Sequence, residues 1–145
     1  MKKPRRVVRK PPRGWRAIPR LSPFNALVGP LYLRKPRGTA VSIGVRIERK
    51  HTNSRGICHG GVLATLADLA LGYAIHGKSG GAAAFVTAHL AVDYAGAARE
   101  GDWVESKAEI QRIGSRLAFA NCYLVSGGRG IVRASAIFAR SDRQA

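Results

Sequence analysis

The 145-residue chain has little of what disulfide frameworks, metal sites and nucleophilic hydrolases require. Its two cysteines, Cys58 and Cys122, lack the spacing of metal ligands, and its four histidines form no HExxH-like arrangement. No serine lies in a G-x-S-x-G elbow, and no neighbouring residue activates either cysteine as a nucleophile. The sequence therefore predicts two reduced thiols, no metal ion, and chemistry that uses neither a serine nor a cysteine nucleophile.

A long hydrophobic run is missing as well. The longest run, residues 62–75, has about 14 residues and contains Asp68, whereas a helix that spans a membrane needs about 20 apolar residues. The N-terminus is basic and continues into prolines, not into the apolar segment of a secretory signal. These absences predict a cytoplasmic protein without a transmembrane segment.

Acidic residues are scarce, with 8 against 25 Lys and Arg, so the net charge is +17. Residues 1–20 carry nine of the basic residues and no acidic one. Because such a composition cannot bury a core, we expect a flexible basic arm over residues 1–20 that contributes little to folding, followed by one domain over residues 21–145. The arm could contact nucleic acid or an anionic membrane, but we do not expect either partner. The excess positive charge of the domain suits a phosphorylated ligand.

Hydrophobic spacing predicts one long helix and an antiparallel sheet. Apolar residues recur at helical intervals between His59 and Gly77, and they alternate as in strands elsewhere. Short turns between the last strands indicate antiparallel neighbours. An antiparallel sheet with a single helix buries its apolar face by wrapping around that helix, so we predict an α+β fold of this kind. The predicted strands are a hairpin over 31–47 and four strands over 85–94, 103–112, 116–125 and 130–140.

Asp68 is the most informative residue, because it lies in the middle of this apolar helix. No basic residue lies within one helical turn of it, and burying an unpaired carboxylate costs several kcal/mol. Two interpretations stay open: a polar group on another element partners Asp68, or a functional site needs a carboxylate there. A stripe of small or polar residues lies on the same helix side and would let a ligand or a second helix approach: Gly61, Ala64, Thr65 and Gly72.

The start of the helix is the second candidate element. Backbone N–H groups at His59-Gly60-Gly61 are free of helical partners and lie at the positive end of the helix dipole. They are suited to stabilising an oxyanion. Gly60 and Asp68 are eight residues apart, or about 12 Å along a helix, so one carbonyl group cannot touch both in one chain. Two helices packed antiparallel across a two-fold axis would bring Gly60 of one chain to Asp68 of the other.

The pattern His51-Thr52-Asn53, His59-Gly60-Gly61, Asp68 resembles the PaaI-like branch of the hotdog thioesterases. Residues 85–94 and 114–120 are similar to that family's strand after the central helix and its second meander turn. The resemblance covers roughly residues 23–140. It implies a hotdog fold, with an antiparallel sheet wrapped around one central helix, in a homodimer or homotetramer.

The resemblance also implies residue roles in the hydrolysis of an acyl-CoA thioester to free acid and CoA. The Gly60 backbone N–H would polarise the thioester carbonyl, and Asn53 and His59 would position substrate or water. Asp68 of the partner subunit would act as general base or nucleophile. Thr87 stands where the family commonly has Ser or Thr, and it would orient the attacking water.

Further residues are candidates for substrate binding. Gly61 and Thr65 lie beside Asp68 on the helix, and three arginines near the meander turns, Arg112, Arg116 and Arg129, could contact the phosphates of coenzyme A. No cofactor is implied, because coenzyme A is part of the substrate.

Two rival functions remain at this point. A hotdog hydratase or dehydratase also uses a carboxylate and a histidine on acyl thioesters, but the arrangement of Asn53, His59-Gly60-Gly61 and Asp68 resembles the esterase pattern. A non-catalytic protein that binds acyl-CoA or nucleic acid would have the basic arm as its only specific support.

Overall fold

The structure is a computed structural model and describes residues 10–81 and 84–141. The predicted long helix is present as α2, and a short helix α1 precedes it. A single turn of 3-10 helix, Arg49–His51, leads into the loop before α2. The elements in chain order are β1 (Arg16–Ala17), α1 (Pro23–Val28), β2 (Leu31–Arg34), β3 (Ser42–Arg46), α2 (Gly60–Lys78), β4 (Phe85–Tyr94), β5 (Trp103–Ile113), β6 (Leu117–Ser126) and β7 (Arg129–Arg140).

Seven strands form one sheet in the order β1-β2-β3-β5-β6-β7-β4, and every neighbouring pair is antiparallel. The last three strands form the predicted meander, while β4 pairs with β7 and ends the sheet. Helix α2 contacts the inner faces of β3, β4, β5, β6 and β7. The predicted antiparallel sheet around one long helix is therefore confirmed.

One side of α2 supplies the centre of the hydrophobic core. Leu66, Ala67, Ala70 and Leu71 are buried, and they pack with inward-facing strand residues such as Leu124. The opposite side, predicted from its apolar sequence to be buried too, is only half-buried in one chain, for example at Leu69 and Tyr73. The sheet of one chain thus leaves the Asp68 side of α2 open.

The segment before α1 packs against the outer face of the sheet. Trp15 is buried, and its ring packs edge to face against the Trp103 ring with 5.1 Å between the two ring centroids. The Arg34 guanidinium lies 4.7 Å from the centroid of the Trp15 ring. Gly44 makes this contact fit, because a Cβ there would lie 2.3 Å from Trp103 and 2.8 Å from Trp15. From Trp15 onward the predicted arm is thus part of the packed domain, held by an aromatic contact that composition does not reveal. Residues 1–9 lie outside the described residues.

Replacing Trp15 with Ala should lower the free energy of unfolding by about 3 kcal/mol, because a large buried ring is lost. For a domain of this size that corresponds to a melting temperature lower by about 10 °C. Arg16→Ala is the control: Arg16 is exposed on the same segment, and the expected change is within about 0.5 kcal/mol. Thermal unfolding followed by circular dichroism measures both. An unchanged melting temperature in Trp15→Ala would mean that this segment contributes nothing to folding.

Candidate active site

The structure gives Asp68 a hydrogen-bond donor from the sheet. The Thr87 hydroxyl donates to Asp68 Oδ1 at 2.6 Å, from a position on β4 opposite Phe138 of β7. The register of β4 shifts between Thr87 and His89, which indicates a β-bulge at this point. Asp68 is half-buried and forms no salt bridge within the described parts of the chain. Its polar partner is therefore a hydroxyl group and not a cationic side chain.

Two clefts meet at the Asp68–Thr87 pair. A smaller cleft of about 340 Å³ extends toward α1, and a larger one of about 600 Å³ extends toward the C-terminal end of α2. Both are lined by Asp68, Leu69 and Thr87. The smaller cleft is also lined by Phe24, Asn25, Ala64, Thr65 and Leu90, and the larger by Gly72, Tyr73, His76, Phe85, Val86 and Phe138.

His59 caps the N-terminus of α2. Its Nδ1 accepts the N–H of Gly61 at 2.9 Å, so the neutral ring carries its proton on Nε2. The cap occupies the Gly61 N–H. No hydrogen bond to the Gly60 N–H is found in the described part of the chain, and this group therefore remains the donor at the helix start.

The backbone just before α2 is fixed by His51. The His59 N–H donates to the His51 carbonyl at 2.8 Å. The buried His51 ring accepts the Glu48 N–H at 2.9 Å through Nδ1, and its Nε2 lies 2.6 Å from the Val28 carbonyl at the end of α1. The position of the Gly60 N–H is thus tied through His51 to α1.

Asn53 shapes the same loop. Its side-chain Oδ1 accepts the N–H groups of Arg55 at 2.9 Å and Ile57 at 3.4 Å. Ile57 in turn forms a β-bridge with Arg99. Asn53 therefore orders the loop that leads into His59 and Gly60, and within one chain it makes no hydrogen bond to Asp68.

Tyr94 is a site residue that the sequence did not single out. Its hydroxyl donates to the Gly60 carbonyl at 2.9 Å, and a Cβ on Gly60 would lie 3.3 Å from its ring. Strand alternation was the available signal, because Leu90, Val92 and Tyr94 fall on one face of β4. Tyr94 thus fixes the start of α2 from β4, as Thr87 contacts Asp68 from the same strand.

The predicted substrate-binding residues on the helix lie beside the clefts. Thr65 lines the smaller cleft, and its hydroxyl donates to the Gly61 carbonyl at 2.9 Å. Gly61 is exposed. Gly60 and Asp68 lie on one continuous helix, so about 12 Å separates them along its axis, as predicted.

The three predicted arginines do not form one site within a chain. Arg112 and Arg116 flank the turn between β5 and β6, whereas Arg129 begins β7 opposite Ser126 at the far end of β6. The ten residues of β6 separate these ends by about 30 Å at about 3.3 Å per residue. All three side chains are exposed, and a single phosphate group cannot contact both ends.

Neither Cys58 nor Cys122 is an activated nucleophile. Burial raises the pKa of Cys58 from 9.0 to about 11 and that of Cys122 to about 12. Both thiols are therefore protonated near neutral pH and are poor nucleophiles. Over residues 10–81 and 84–141 there is no cluster of three or more potential metal-ligand side chains, and no helix is long and apolar enough to cross a membrane.

A family model described as the thioesterase superfamily matches residues 55–132, which contain His59, Gly60, Asp68 and Thr87. The chain belongs to the thioesterase superfamily. A Pseudomonas aeruginosa member, PA0474, which carries an esterase name, is 39% identical over 127 residues, with 88% of this chain and 95% of the relative covered. The predicted class of activity, thioester hydrolysis, is confirmed at the level of the family.

Solved structures of thioesterase-superfamily type share the fold. A variant of the phenylacetic acid degradation protein PaaI from Thermus thermophilus has a TM-score of 0.73 at 23% identity, covering 83% of this chain and 100% of that chain. A hypothetical thioesterase from Streptococcus pneumoniae, solved with coenzyme A, has a TM-score of 0.71 at 21% identity, covering 79% and 91%. The predicted PaaI-like hotdog fold is confirmed.

Proposed function

We propose that this protein hydrolyses acyl-CoA thioesters at a site shared by two chains, without a cofactor. The observation that carries the proposal is the Asp68–Thr87 hydrogen bond at the meeting point of two clefts. A carboxylate beside a hydroxyl group can take a proton from water or attack a carbonyl carbon directly.

As a general base, Asp68 accepts a proton from a water molecule whose oxygen bonds to the thioester carbon. The Thr87 oxygen has lone pairs left to accept a hydrogen bond from that water. The C–S bond then breaks, and the CoA thiolate leaves and takes up a proton. As a nucleophile, Asp68 forms a mixed anhydride with loss of the thiolate, and water hydrolyses the anhydride. Both routes develop negative charge on the carbonyl oxygen and need a donor there.

The Gly60 N–H of a second chain supplies that donor in our proposal. If Gly60 of one chain meets Asp68 of the other on antiparallel helices, the two-fold axis passes midway, at Ala64. A small residue at this point permits close approach of the helices. The half-buried side of α2 around Ala64 and Thr65 is the surface that such a partner would cover.

The edge of the sheet supports the same axis. Strand β4 is ten residues long and ends the sheet, so one of its edges has no strand neighbour in the described chain. Tyr94 contacts Gly60 and Thr87 contacts Asp68. The point on β4 midway between these two contacts therefore lies near Leu90. Leu90 and Ala64 line the same cleft. A single two-fold axis can therefore relate both the helices and the β4 edges of two chains.

The choice of coenzyme A as the thiol rests on charge and on the fold neighbour. The Streptococcus pneumoniae protein of this fold was solved with coenzyme A, and the net charge of +17 suits a ligand with several phosphate groups. A cytoplasmic location and the absence of a nucleic-acid or membrane partner stay predictions from the sequence.

Thiol release from a panel of acyl-CoA esters tests the proposal. We expect release of free CoA from at least one ester, by a protein that sediments as a dimer or larger at the assay concentration. Mass spectrometry of an enoyl-CoA incubation separates release of CoA from hydration of the double bond. Hydration without thiol release, binding without turnover, or a catalytically active monomer would each contradict the proposal.

A further inference from the structure

The larger of the two clefts follows one stripe of α2. Asp68, Gly72 and His76 are spaced by four residues and lie on one side of the helix, so the cleft extends about 12 Å from the carboxylate to His76. Phe138, Phe85 and other apolar side chains form its walls. The cleft therefore begins at the reacting group and continues as a mainly apolar channel.

Gly72 keeps this channel open halfway along its length. A Cβ at Gly72 would lie 3.8 Å from Phe138 Cε1, an ordinary van der Waals contact, so Ala fits against the wall. A longer side chain at the same position would extend past the Phe138 ring into the cleft, because a Cβ alone already reaches that ring. Because Gly72 has no side chain, the cleft continues from Asp68 to His76.

The two clefts are suited to different parts of a dimeric site. The smaller one contains Ala64, the midpoint of the proposed helix pair, so the partner chain approaches Asp68 from that side. The larger one extends the opposite way. Its described lining has no Lys or Arg, which makes it unsuitable for the phosphates of coenzyme A and suitable for an apolar chain.

We propose that the larger cleft binds the acyl group and that Gly72 determines the acyl length the protein accepts. The inference rests on the proposed thioesterase function. An extended chain advances about 1.25 Å per methylene, given a C–C bond of about 1.5 Å. Acyl groups of about four carbons or fewer end before Gly72, whereas those of about six to ten carbons pass it toward His76. Medium-length acyl groups are the substrate class this cleft fits.

The test compares kcat/KM for acetyl-, butanoyl-, hexanoyl-, octanoyl- and decanoyl-CoA in the full-length dimer. The wild-type protein should prefer the octanoyl ester to the acetyl ester. Gly72→Leu should lower kcat/KM for octanoyl-CoA by on the order of a hundredfold, because its side chain blocks the cleft. The same variant should lose far less kcat/KM on acetyl- and butanoyl-CoA, so the ratio of octanoyl to acetyl turnover falls, since the shorter groups end before the block.

Gly77→Leu is the matched control, because Gly77 lies on the same helix and is exposed. Apart from the backbone of its own helix, a Cβ added at Gly77 would meet no atom within 4 Å. It should leave the length profile unchanged. Gly72→Ala keeps the test valid if Gly72→Leu does not fold, and it should shift the profile toward shorter esters by a few fold. A wild-type preference for acetyl-CoA, or an equal loss on all esters in the folded Gly72 variants, would overturn the inference while leaving the proposed function intact.

If no ester is hydrolysed, the proposed function fails and binding decides the inference separately. Calorimetry should then show tighter binding of octanoyl-CoA than of coenzyme A to the wild-type protein, and loss of that difference in the folded Gly72 variant. Equal affinities for the two ligands in the wild-type protein would overturn the assignment of the cleft.

Discussion

Asp68→Asn should lower turnover by on the order of a hundredfold or more, as expected when a general base or nucleophile is lost. The melting temperature should hold or rise, because a half-buried charge is removed while the amide oxygen can still accept the hydrogen bond that Thr87 now donates at 2.6 Å. Steady-state kinetics and thermal unfolding of the same preparation measure the two effects.

Asp93→Asn is the matched control for this substitution. Asp93 lies on β4, exposed, and pairs with Arg133 at 2.9 Å on the outer face. An exposed pair of this kind contributes little to stability, and Asp93 lines neither cleft, so activity and melting temperature should change little. A large loss of stability in Asp68→Asn with unchanged turnover would show that the carboxylate is structural.

Two inactive variants should recover activity when their chains are mixed. Asp68→Asn removes the carboxylate, and Gly60→Pro removes the backbone N–H at the helix start. Proline suits the first position of a helix, and His59 already has the extended φ −62°, ψ 135° that a following proline favours. With random exchange half of the dimers are mixed and each has one intact site, so about a quarter of wild-type activity should return.

Gly60→Ala is the control for the proline variant, because it keeps the N–H. Both substitutions place a Cβ about 3.3 Å from the Tyr94 ring, so the alanine variant accounts for this contact, and of the two only the proline lacks the N–H. Removal of one oxyanion donor lowers turnover by roughly a hundredfold to a thousandfold, and Gly60→Ala should retain most activity. Mixed dimers verified by native mass spectrometry that stay inactive would place the carboxylate and the donor in one chain.

Local sequence patterns predicted the regular elements well. Residues 59–77 were predicted as the long helix, and α2 spans Gly60–Lys78 with His59 as its cap. Strand β4 has the predicted bounds, and β5, β6 and β7 begin or end within one residue of them. Apolar periodicity and glycine-rich turns decide such elements locally, which explains this agreement.

Features that depend on distant contacts were harder to predict. Strand β1 has two residues and no alternation of its own; it exists because it pairs with β2. The burial of Trp15 depends on Gly44 and Trp103, which are far away in sequence. The separation of Arg129 from Arg112 and Arg116 follows from the sheet register, which residue types near turns do not encode.

Only part of the candidate site was predicted, because some of its contacts also join residues that are distant in sequence. Asp68 stands out because a carboxylate conflicts with its apolar helix. The family resemblance implied that Thr87 orients the attacking water, and the hydrogen bond that Thr87 donates to Asp68 was not predicted. Tyr94 was not singled out: strand alternation puts it on the same face of β4 as Leu90 and Val92, but it does not reveal a contact with a glycine 34 residues earlier. Whether Asn53 and His59 contact substrate stays a prediction, and their contacts within one chain order the loop and the helix start.

The open edge of β4 affects how readily an unpaired chain aggregates. A strand of ten residues at the end of a sheet presents backbone donors and acceptors that any other extended segment can join. No proline interrupts it, and its single acidic residue, Asp93, is paired with Arg133. We therefore expect a solitary chain to be prone to aggregation, and the proposed pairing of β4 with a second copy would remove that hazard. Variants that prevent pairing are therefore expected to precipitate more readily than they yield clean monomers.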